Sequence, residues 1–325
     1  MLSIDQVRDL VAVVVPVYFD PSVSEDQIYN ILEPVFRGQA LFCRPERSLV
    51  LVDRDTTAER VLLSSPNASF SGLPIHVLPE NRAKAGAVSA GLARILENPD
   101  NRFVITRDCD GDHVAEDIPR LVSLAFEIQD QVENELVSVI GARPSLEKPM
   151  GWVREQWELL TNRILLDLVR FSLARTGAVI DERFWGGQDP DLQSGYRLYS
   201  RKAAEETVRC IEALPEDRTI WTFSCEYLPF AELMIRGGIF GQVQRLTLVE
   251  QPVTSYGSVD LAEVYGRLMV YVASNYEIPA SVLLQVFDNA VGSLSLFYTD
   301  RREELLRCRR LISVDAPMLR GPQFI

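Results

Sequence analysis

Histidine is the scarcest of the versatile chemical residues in this chain of 325 residues. Only His76 and His113 occur, so a site built on several histidine ligands is excluded. The five cysteines, at positions 43, 109, 210, 225 and 308, form no C-x-x-C pair and are odd in number. We therefore expect reduced thiols in a cytoplasmic protein, and neither a disulfide framework nor a cysteine-based zinc site.

Lysine is also scarce, since Lys84, Lys148 and Lys202 are the only lysines among 33 basic residues. The 46 acidic residues give a formal net charge of −13. A chain this acidic is not expected to bind nucleic acid through a diffuse basic surface. Its arginines can still form local sites for phosphate or carboxylate groups, which their forked guanidinium suits.

Long apolar runs are missing as well. No uncharged stretch reaches the roughly 18 residues that suggest a membrane span, and the longest candidate, residues 278–298, contains Asp288 and Asn289. The first ten residues contain acids and lack the basic start of a signal peptide. We expect no transmembrane segment, and a peripheral contact with a membrane is left open.

The first half of the chain alternates apolar, strand-like runs with amphipathic stretches. Strands are predicted over residues 11–18, 48–54, 74–79, 102–108 and 135–143. This alternation predicts an α/β fold with a mostly parallel sheet and helices on both faces. In such sheets ligands bind beyond the carboxyl ends of the strands. Tyr18, Asp53 and Asp108 follow strands one, two and four directly, so we expect them in one crevice.

The pattern changes after Met150. Apolar residues from Trp157 to Phe171 recur at helical spacing and predict one long helix. A loop over residues 183–196, a strand-like run over 197–200 and another helix follow. From Asp260 onward the sequence has two apolar stripes at helical spacing, which predict further helices that pack in a core or an interface.

The strongest chemical signal is the run Asp108-Cys109-Asp110-Gly111-Asp112-His113, directly after an apolar strand. Carboxylates at alternate positions of a turn can converge on one hard divalent cation. A calcium loop fits poorly, because its twelfth position, counted from Asp108, is a proline. The alternative is a solvated acidic turn. His113 either orients one of the carboxylates or is an ordinary turn residue.

Five segments of the chain form a recognisable series. They are VVVPVYFDP, LVLVDRDTT, NRAKAGAVSAGL, the D-x-D-G-x-H turn and DLQSGYRLYSR. Together they resemble glycosyltransferase family 2, and most of all its polyprenyl-phosphate mannosyl- and glucosyltransferase branch, and they occur in the order expected of that family over about residues 11–255. The chain departs from the family at Arg54, where a second aspartate is usual, and at Ala83 and Ala85, where glycines flank the lysine.

The resemblance implies a GT-A fold with a C-terminal helical extension. It also implies transfer of a hexose from a nucleoside diphosphate sugar, with Mg²⁺ or Mn²⁺ as cofactor. Residues 1–145 would form the nucleotide-sugar-binding half of one domain and residues 146–257 its acceptor-binding half. Residues 258–325 would be the helical extension, which could form a dimer interface, cover the acceptor site or dock on a membrane.

The resemblance also assigns the donor and metal sites. The metal ligands would be Asp108, Asp110 and Asp112. The donor would contact Pro16, Tyr18, Asp53, Arg82, Lys84 and Asp108. Backbone N–H groups at the start of the helix near Lys84 favour phosphate, although a solvated helix start is the simpler interpretation of Arg82 and Lys84. Asp53 could instead cap the helix that follows it.

The acceptor remains open between a phosphate and a hydroxyl group. By resemblance, Arg143, Arg154 and Arg197 face an acceptor phosphate. Glu158 stands where the dolichyl-phosphate enzymes have a serine, and a carboxylate there repels phosphate unless an arginine pairs with it. A hydroxyl acceptor, such as a sugar or glycerate, needs a carboxylate base, whereas an ionised phosphate does not.

The predicted catalytic residues are Asp191, Glu226 and Arg197. Asp191 and Glu226 are the candidate bases, and Asp191 could equally brace the turn that follows it. We therefore expect a metal-dependent glycosyltransferase that acts on a polyprenyl phosphate or on a small soluble acceptor. The alternative from another class is a catalytically silent nucleotide-sugar-binding protein, and the retained acidic residues count against it.

Overall fold

Seven β-strands form one sheet in the computed structural model, which describes residues 2–246 and 259–315. The strand order is β3-β2-β1-β4-β6-β5-β7. Their bounds are β1 Val11–Val17, β2 Ser48–Val52, β3 Ile75–Val77, β4 Phe103–Thr106, β5 Val137–Ala142, β6 Arg197–Ser200 and β7 Ile239–Gln244. Only β6 runs antiparallel to its neighbours, β4 and β5, and the remaining pairs are parallel.

Helices connect the strands and cover both faces of the sheet. They are α1 Ile4–Leu10, α2 Glu25–Phe36, α3 Gln39–Phe42, α4 Thr56–Ser64, α5 Ala83–Leu96, α6 Ile118–Val132, α7 Glu147–Met150, α8 Trp152–Ala174, α9 Arg201–Glu212, α10 Arg218–Phe223, α11 Tyr227–Ile235, α12 Leu261–Asn275, α13 Ala280–Val291 and α14 Arg302–Asp315.

The alternation of side chains along β1 shows why the sheet needs cover on both faces. Val11, Val13 and Val15 belong to the core formed with α1, α2, α4 and α6. Ala12 and Val14 belong to the core on the other face, formed with α5, α8, α9 and α11–α14. The predicted α/β fold class is therefore confirmed, with its mostly parallel sheet, its two helical layers and its C-terminal helices.

Close packing between α5 and β1 depends on one glycine. A Cβ atom at Gly91 would lie 2.4 Å from Cγ1 of Val14, so no larger residue fits without a shift. This contact brings the start of α5 next to the carboxyl end of β1, and thereby positions one wall of the candidate site.

The C-terminal helices continue the core and do not form a separate layer. Helix α12 packs against α8 and α14, and α13 packs against α8. Within residues 2–246 and 259–315, none of the helices has the length and apolar character needed to cross a membrane. The predicted boundary between residues 257 and 258 and the last ten residues of the predicted extension lie outside the described residues, so the three-part division stays a prediction.

Several elements were not expected from the sequence. Helix α11 is buried on nearly all sides, so its residues show no amphipathic period. Helices α1 and α10 are short, and β7 contains Gly241 and two glutamines. Strand β2 ends at Val52, two residues earlier than predicted, because Arg54 turns the chain with a φ of 53°.

Candidate functional site

A cleft of about 660 Å³ opens at the carboxyl ends of β1, β2 and β4. Tyr18, Asp53 and Asp108 all line it, as the strand topology predicts. Ten residues of the predicted site contribute to its surface. They are Pro16, Tyr18, Asp53, Lys84, Asp108, Asp110, Asp112, Arg143, Arg154 and Glu226.

Asp53 lies at one end of the cleft, directly after β2, and is almost fully buried. Its Oδ1 accepts a hydrogen bond of 2.7 Å from the backbone N–H of Arg82. Burial raises the pKa of Asp53, while the Arg82 N–H and the charge of Arg218 partly offset the shift. Asp53 does not cap α4, because Asp55 does so by accepting from the N–H groups of Thr57 and Ala58.

Lys84 projects from the first turn of α5 between two carboxylates. Its Nζ lies 2.9 Å from Oδ1 of Asp108 and 2.6 Å from Oε1 of Glu226. Burial opposes the charge on the ammonium, but the two carboxylates outweigh it and raise the pKa of Lys84 well above its usual value. Burial likewise opposes the Asp108 charge, and Lys84 nevertheless lowers the pKa of Asp108 to about 2. This part of the cleft is therefore a fixed ion triad.

Two stacked rings, those of His113 and Tyr196, support the acidic turn that follows β4. Nδ1 of His113 accepts a hydrogen bond of 2.8 Å from the backbone N–H of Asp108. The imidazole stacks on the ring of Tyr196 at 4.8 Å, and burial lowers the pKa of His113 well below its usual value. His113 is thus a neutral acceptor that orients the turn. Gly195 packs on the Asp108 carboxylate, where a Cβ atom would lie 2.4 Å from Oδ2.

The three aspartates of the turn differ in their partners. Asp112 is buried and paired with Arg245, at 3.0 Å between its Oδ1 and Nη1 of the guanidinium. The Asp110 carboxylate accepts a weak bond of 3.3 Å from the Asp112 N–H. Burial and the neighbouring charges of Asp108 and Asp112 raise the pKa of Asp110 to about 7. Asp110 is therefore the carboxylate of the turn that most lacks a compensating cation.

The predicted three-carboxylate metal site is not assembled. Across residues 2–246 and 259–315, no three aspartate, glutamate, histidine or cysteine side chains are grouped closely enough to hold one ion. Arg245 holds the Asp112 carboxylate, so the assignment of Asp108, Asp110 and Asp112 together as metal ligands stays a prediction. Asp108 and Asp110 remain as carboxylates that line the cleft.

Arg143 and Arg154 lie at the other end of the cleft, and carboxylates neutralise both. Arg143 donates from Nε to Oδ2 of Asp191 at 2.7 Å and from Nη2 to Oε2 of Glu158 at 2.7 Å. Arg154 donates to the other Glu158 oxygen at 2.9 Å. Glu158 is completely buried. Two arginines and two carboxylates thus form a network whose formal charge is zero.

Two predicted arginines do not present their side chains to the cleft. Arg82 pairs with Glu212 at 3.0 Å and lies over the ring of Trp221, so only its backbone N–H reaches the site. Arg197 is buried, and its Nε donates to the Ser194 carbonyl at 3.0 Å. The expected contacts of Arg82 with the donor and of Arg197 with the acceptor therefore stay predictions that these side-chain positions do not support.

Asp191 also departs from its expected catalytic position. Arg143 occupies both of its carboxylate oxygens. Burial opposes the Asp191 charge, but Arg143 outweighs it and lowers the pKa of Asp191. Asp191 does not line the cleft, and with Arg143 it braces the loop before β6. Of the two candidate bases, Glu226 lines the cleft.

Two basic residues of the site were not expected from the sequence. Arg218, the first residue of α10, lines the cleft and donates to the Asn81 carbonyl at 3.0 Å. Arg245 follows β7 and pairs with Asp112 of the acidic turn. Neither residue lies in a recognisable motif, and chain folding brings each to a partner more than 130 residues away.

Comparison with known proteins gives neither a family nor a function. No protein-family profile and no curated protein matches the sequence. Solved structures with a similar fold include a mannosyltransferase from Pyrobaculum calidifontis in complex with GDP-Man and Mn²⁺, with 13% identity and a TM-score of 0.42 over 96% of this chain and 76% of that one. A 4-diphosphocytidyl-2C-methyl-D-erythritol synthase from Anaerococcus prevotii has 10% identity and a TM-score of 0.44 over 80% and 98% of the two chains. S. aureus TarS 1-349 in complex with UDP has 10% identity and a TM-score of 0.40 over 90% and 73%.

Proposed function

We propose that the cleft binds a nucleoside diphosphate sugar and that the chain transfers the hexose to a hydroxyl acceptor. One observation carries the proposal. Asp53, Lys84, Asp108 and Asp110, which come from three separate segments of the chain, line a single cleft at the carboxyl ends of β1, β2 and β4. A fold of this class binds its ligands at this edge.

The donor lies along the cleft in this proposal. The nucleoside end lies at Asp53, whose carboxylate lines the cleft and can accept hydrogen bonds from the base or ribose. The diphosphate lies near Lys84 and the acidic turn. Contacts to the nucleoside, far from the reacting carbon, orient the sugar for the chemical step.

The acidic turn fits Mg²⁺ or Mn²⁺ through its donor chemistry. Carboxylate oxygens suit both ions, and Mg²⁺ is commonly held by one or two carboxylates together with substrate phosphates. Asp108 and Asp110 supply two such carboxylates, and the raised pKa of Asp110 reflects uncompensated negative charge beside it. A cation bound there would neutralise charge on the departing diphosphate.

The transfer step needs stabilisation of the leaving group. The acceptor oxygen forms a bond to the anomeric carbon, while the bond from that carbon to the diphosphate oxygen breaks and its electron pair leaves with the nucleoside diphosphate. Lys84 lines the cleft and can donate to that oxygen once the diphosphate takes the place of one of its two carboxylate partners, Asp108 or Glu226. Preorganised donors of this kind lower the barrier where charge develops.

The charge of the cleft favours a hydroxyl over a phosphate acceptor. Its lining has six carboxylates against four basic side chains. The carboxylates are Asp20, Asp53, Asp108, Asp110, Asp112 and Glu226, and the basic residues are Lys84, Arg143, Arg154 and Arg218. Arg143 and Arg154, expected on an acceptor phosphate, are already neutralised by Asp191 and Glu158. An acceptor phosphate would have to displace Asp191 or Glu158 before it could bind these two arginines, whereas a hydroxyl acceptor would not.

A hydroxyl acceptor requires a proton acceptor, and Glu226 is our candidate. It lines the cleft and shares Lys84 with Asp108, which places it beside the expected diphosphate. In the transfer step its carboxylate takes the hydroxyl proton as the new glycosidic bond forms. Glu226→Gln should then lower kcat strongly while leaving the donor Kd nearly unchanged.

The test is a thermal-shift screen of nucleotide sugars with and without Mn²⁺, followed by acceptor screening with the best donor. A ligand that binds only the native state raises the melting temperature. We expect a shift that needs both donor and Mn²⁺, and its loss in Asp110→Ala. Donor binding without transfer to any acceptor would favour a silent nucleotide-sugar-binding protein, and no shift with any donor would contradict the proposal.

A further inference from the structure

The basic residues of the cleft differ in how their charge is compensated. Lys84 is held by Asp108 and Glu226. Arg143 and Arg154 share Glu158, and Arg143 also pairs with Asp191. Any of these three cations must loosen an ion pair before it can bind an anionic ligand.

Arg218 is the exception among the cleft-lining cations. Its guanidinium donates to the backbone carbonyl of Asn81 at 3.0 Å and to the Asn81 side-chain oxygen. Both acceptors are neutral, and Arg218 makes no salt bridge with a residue in the described ranges 2–246 and 259–315. Its side chain is exposed to the cleft, so its positive charge is available to a ligand without any rearrangement.

The position of Arg218 is fixed by the structure around it. Asp217 caps α10 by accepting from the Thr219 N–H at 2.8 Å, and its other oxygen pairs with Arg267 of α12 at 2.9 Å. Trp221 of the same helix donates from Nε1 to the Pro215 carbonyl at 2.9 Å. The C-terminal helices therefore brace the wall that presents Arg218.

The ligand group nearest to Arg218 can be identified from its neighbours. Asn81 donates to the carbonyl of Asp53 at 3.4 Å, and it stands three residues before Lys84 at the start of α5. Arg218 therefore lies between the end of the cleft at Asp53 and the start of α5. In the proposed donor orientation, this is where the nucleoside continues into the diphosphate.

We propose that Arg218 binds the diphosphate of the donor, a role that rests on the proposed function above. A guanidinium fork matches phosphate oxygens and gives charge-assisted hydrogen bonds. Because its present partners are neutral, binding costs no ion pair. Among the described residues Arg218 is held in no ion pair and acts on the Asp53 carboxylate only through its charge, whereas Lys84 is held between Asp108 and Glu226.

The test is isothermal titration of the intact protein, in Mn²⁺, with the tightest-binding of UDP, GDP, ADP and CDP and with the nucleoside of the same base. Arg218→Ala should weaken diphosphate binding about 10- to 100-fold, the usual worth of a hydrogen bond to a charged group. It should change nucleoside binding less than about 2-fold. Arg218→Lys should recover part of the diphosphate affinity, since it keeps the charge but loses the fork.

The controls distinguish a failure of this inference from a failure of the proposed function. Arg163→Ala removes an exposed arginine that pairs with Asp167 on α8, away from the cleft, and should leave both affinities unchanged. Equal losses of nucleoside and diphosphate affinity in Arg218→Ala would overturn the inference, as would no loss. If the unmodified protein binds none of the four diphosphates, the proposed function fails together with the inference. If the unmodified protein binds a diphosphate and Arg218→Ala weakens that binding selectively, both are supported.

Discussion

Replacing Asp110 with asparagine should make the metal-free protein more stable and abolish the proposed transfer reaction. Asp110 lies between two other carboxylates, and burial together with their charges raises its pKa to about 7. Its ionised form is therefore disfavoured in the folded state. Asparagine has nearly the same shape and carries no charge, so the substitution removes the repulsion without leaving a cavity.

The magnitude follows from the size of the pKa shift. A change from 3.8 to about 7 is roughly three pH units, and each unit corresponds to about 1.4 kcal/mol, giving a limit of about 4 kcal/mol. The folded state holds this proton more tightly than the unfolded state. Stability therefore falls as the pH rises from about 4 to 7, and the full cost is present above pH 7. The advantage of Asp110→Asn should be largest near pH 8 and vanish below pH 4.

The assay is urea unfolding of both proteins in EDTA at pH 4, 6 and 8, repeated at pH 8 with Mn²⁺. Metal should raise the unfolding free energy of the unmodified protein and affect the variant little. Asp130→Asn, on the exposed face of α6, is the matched control and should change nothing. A variant that is equally stable or less stable at pH 8 would refute the proposed charge repulsion.

Three further substitutions test the structure around the cleft. Gly195→Ala should displace the Asp108 carboxylate, because the new methyl group would meet Oδ2 at 2.4 Å. Calorimetry should then show weaker Mn²⁺-dependent donor binding. Unchanged affinity would mean that the loop accommodates the methyl group without moving Asp108. Arg54→Gly should raise the unfolding free energy by about 1 kcal/mol, since this exposed arginine holds a φ of 53°, and a loss of stability in urea unfolding would count against strain there. Arg143→Ala should destabilise the fold by about 3–5 kcal/mol, because it leaves Glu158 and Asp191 buried without their shared partner. An unchanged melting temperature with a raised acceptor KM would instead indicate that Arg143 binds the acceptor.

The parts of the site that follow strand ends could be predicted from the sequence. Tyr18, Asp53 and Asp108 follow β1, β2 and β4, and parallel strands place their carboxyl ends at one edge. Lys84 is predicted only through the resemblance of the segment that opens α5, since the residues alone favour a solvated helix start. The inferences at the strand ends need only local patterns and one rule of topology.

The pairing of charges could not be predicted in the same way. The partner of Asp112 is Arg245, 133 residues along the chain. Arg218 reaches Asn81 across 137 residues through a short helix that no motif marks. A carboxylate in a turn looks the same in the sequence whether it faces a metal, a lysine or an arginine, so the sequence does not reveal that Arg245 pairs with Asp112 or that Lys84 pairs with Asp108.

Helix α11 and strand β7 were not predicted from the sequence, because neither has a clear hydrophobic pattern. Helix α11 is enclosed by the core on nearly every side, and its apolar residues therefore show no period from which a buried face can be recognised. Strand β7 lies at the edge of the sheet and mixes buried residues with glutamines. In both, tertiary surroundings determine the structure more than local propensity does.

The most direct test of the proposed site is anomalous diffraction at the manganese edge from crystals soaked with Mn²⁺ and the nucleotide sugar that gives the largest thermal shift. We expect one manganese peak in coordinating contact with the carboxylates of Asp108 and Asp110 and with the diphosphate of the donor. A donor bound elsewhere, or a manganese peak that touches neither aspartate, would contradict the site proposed here.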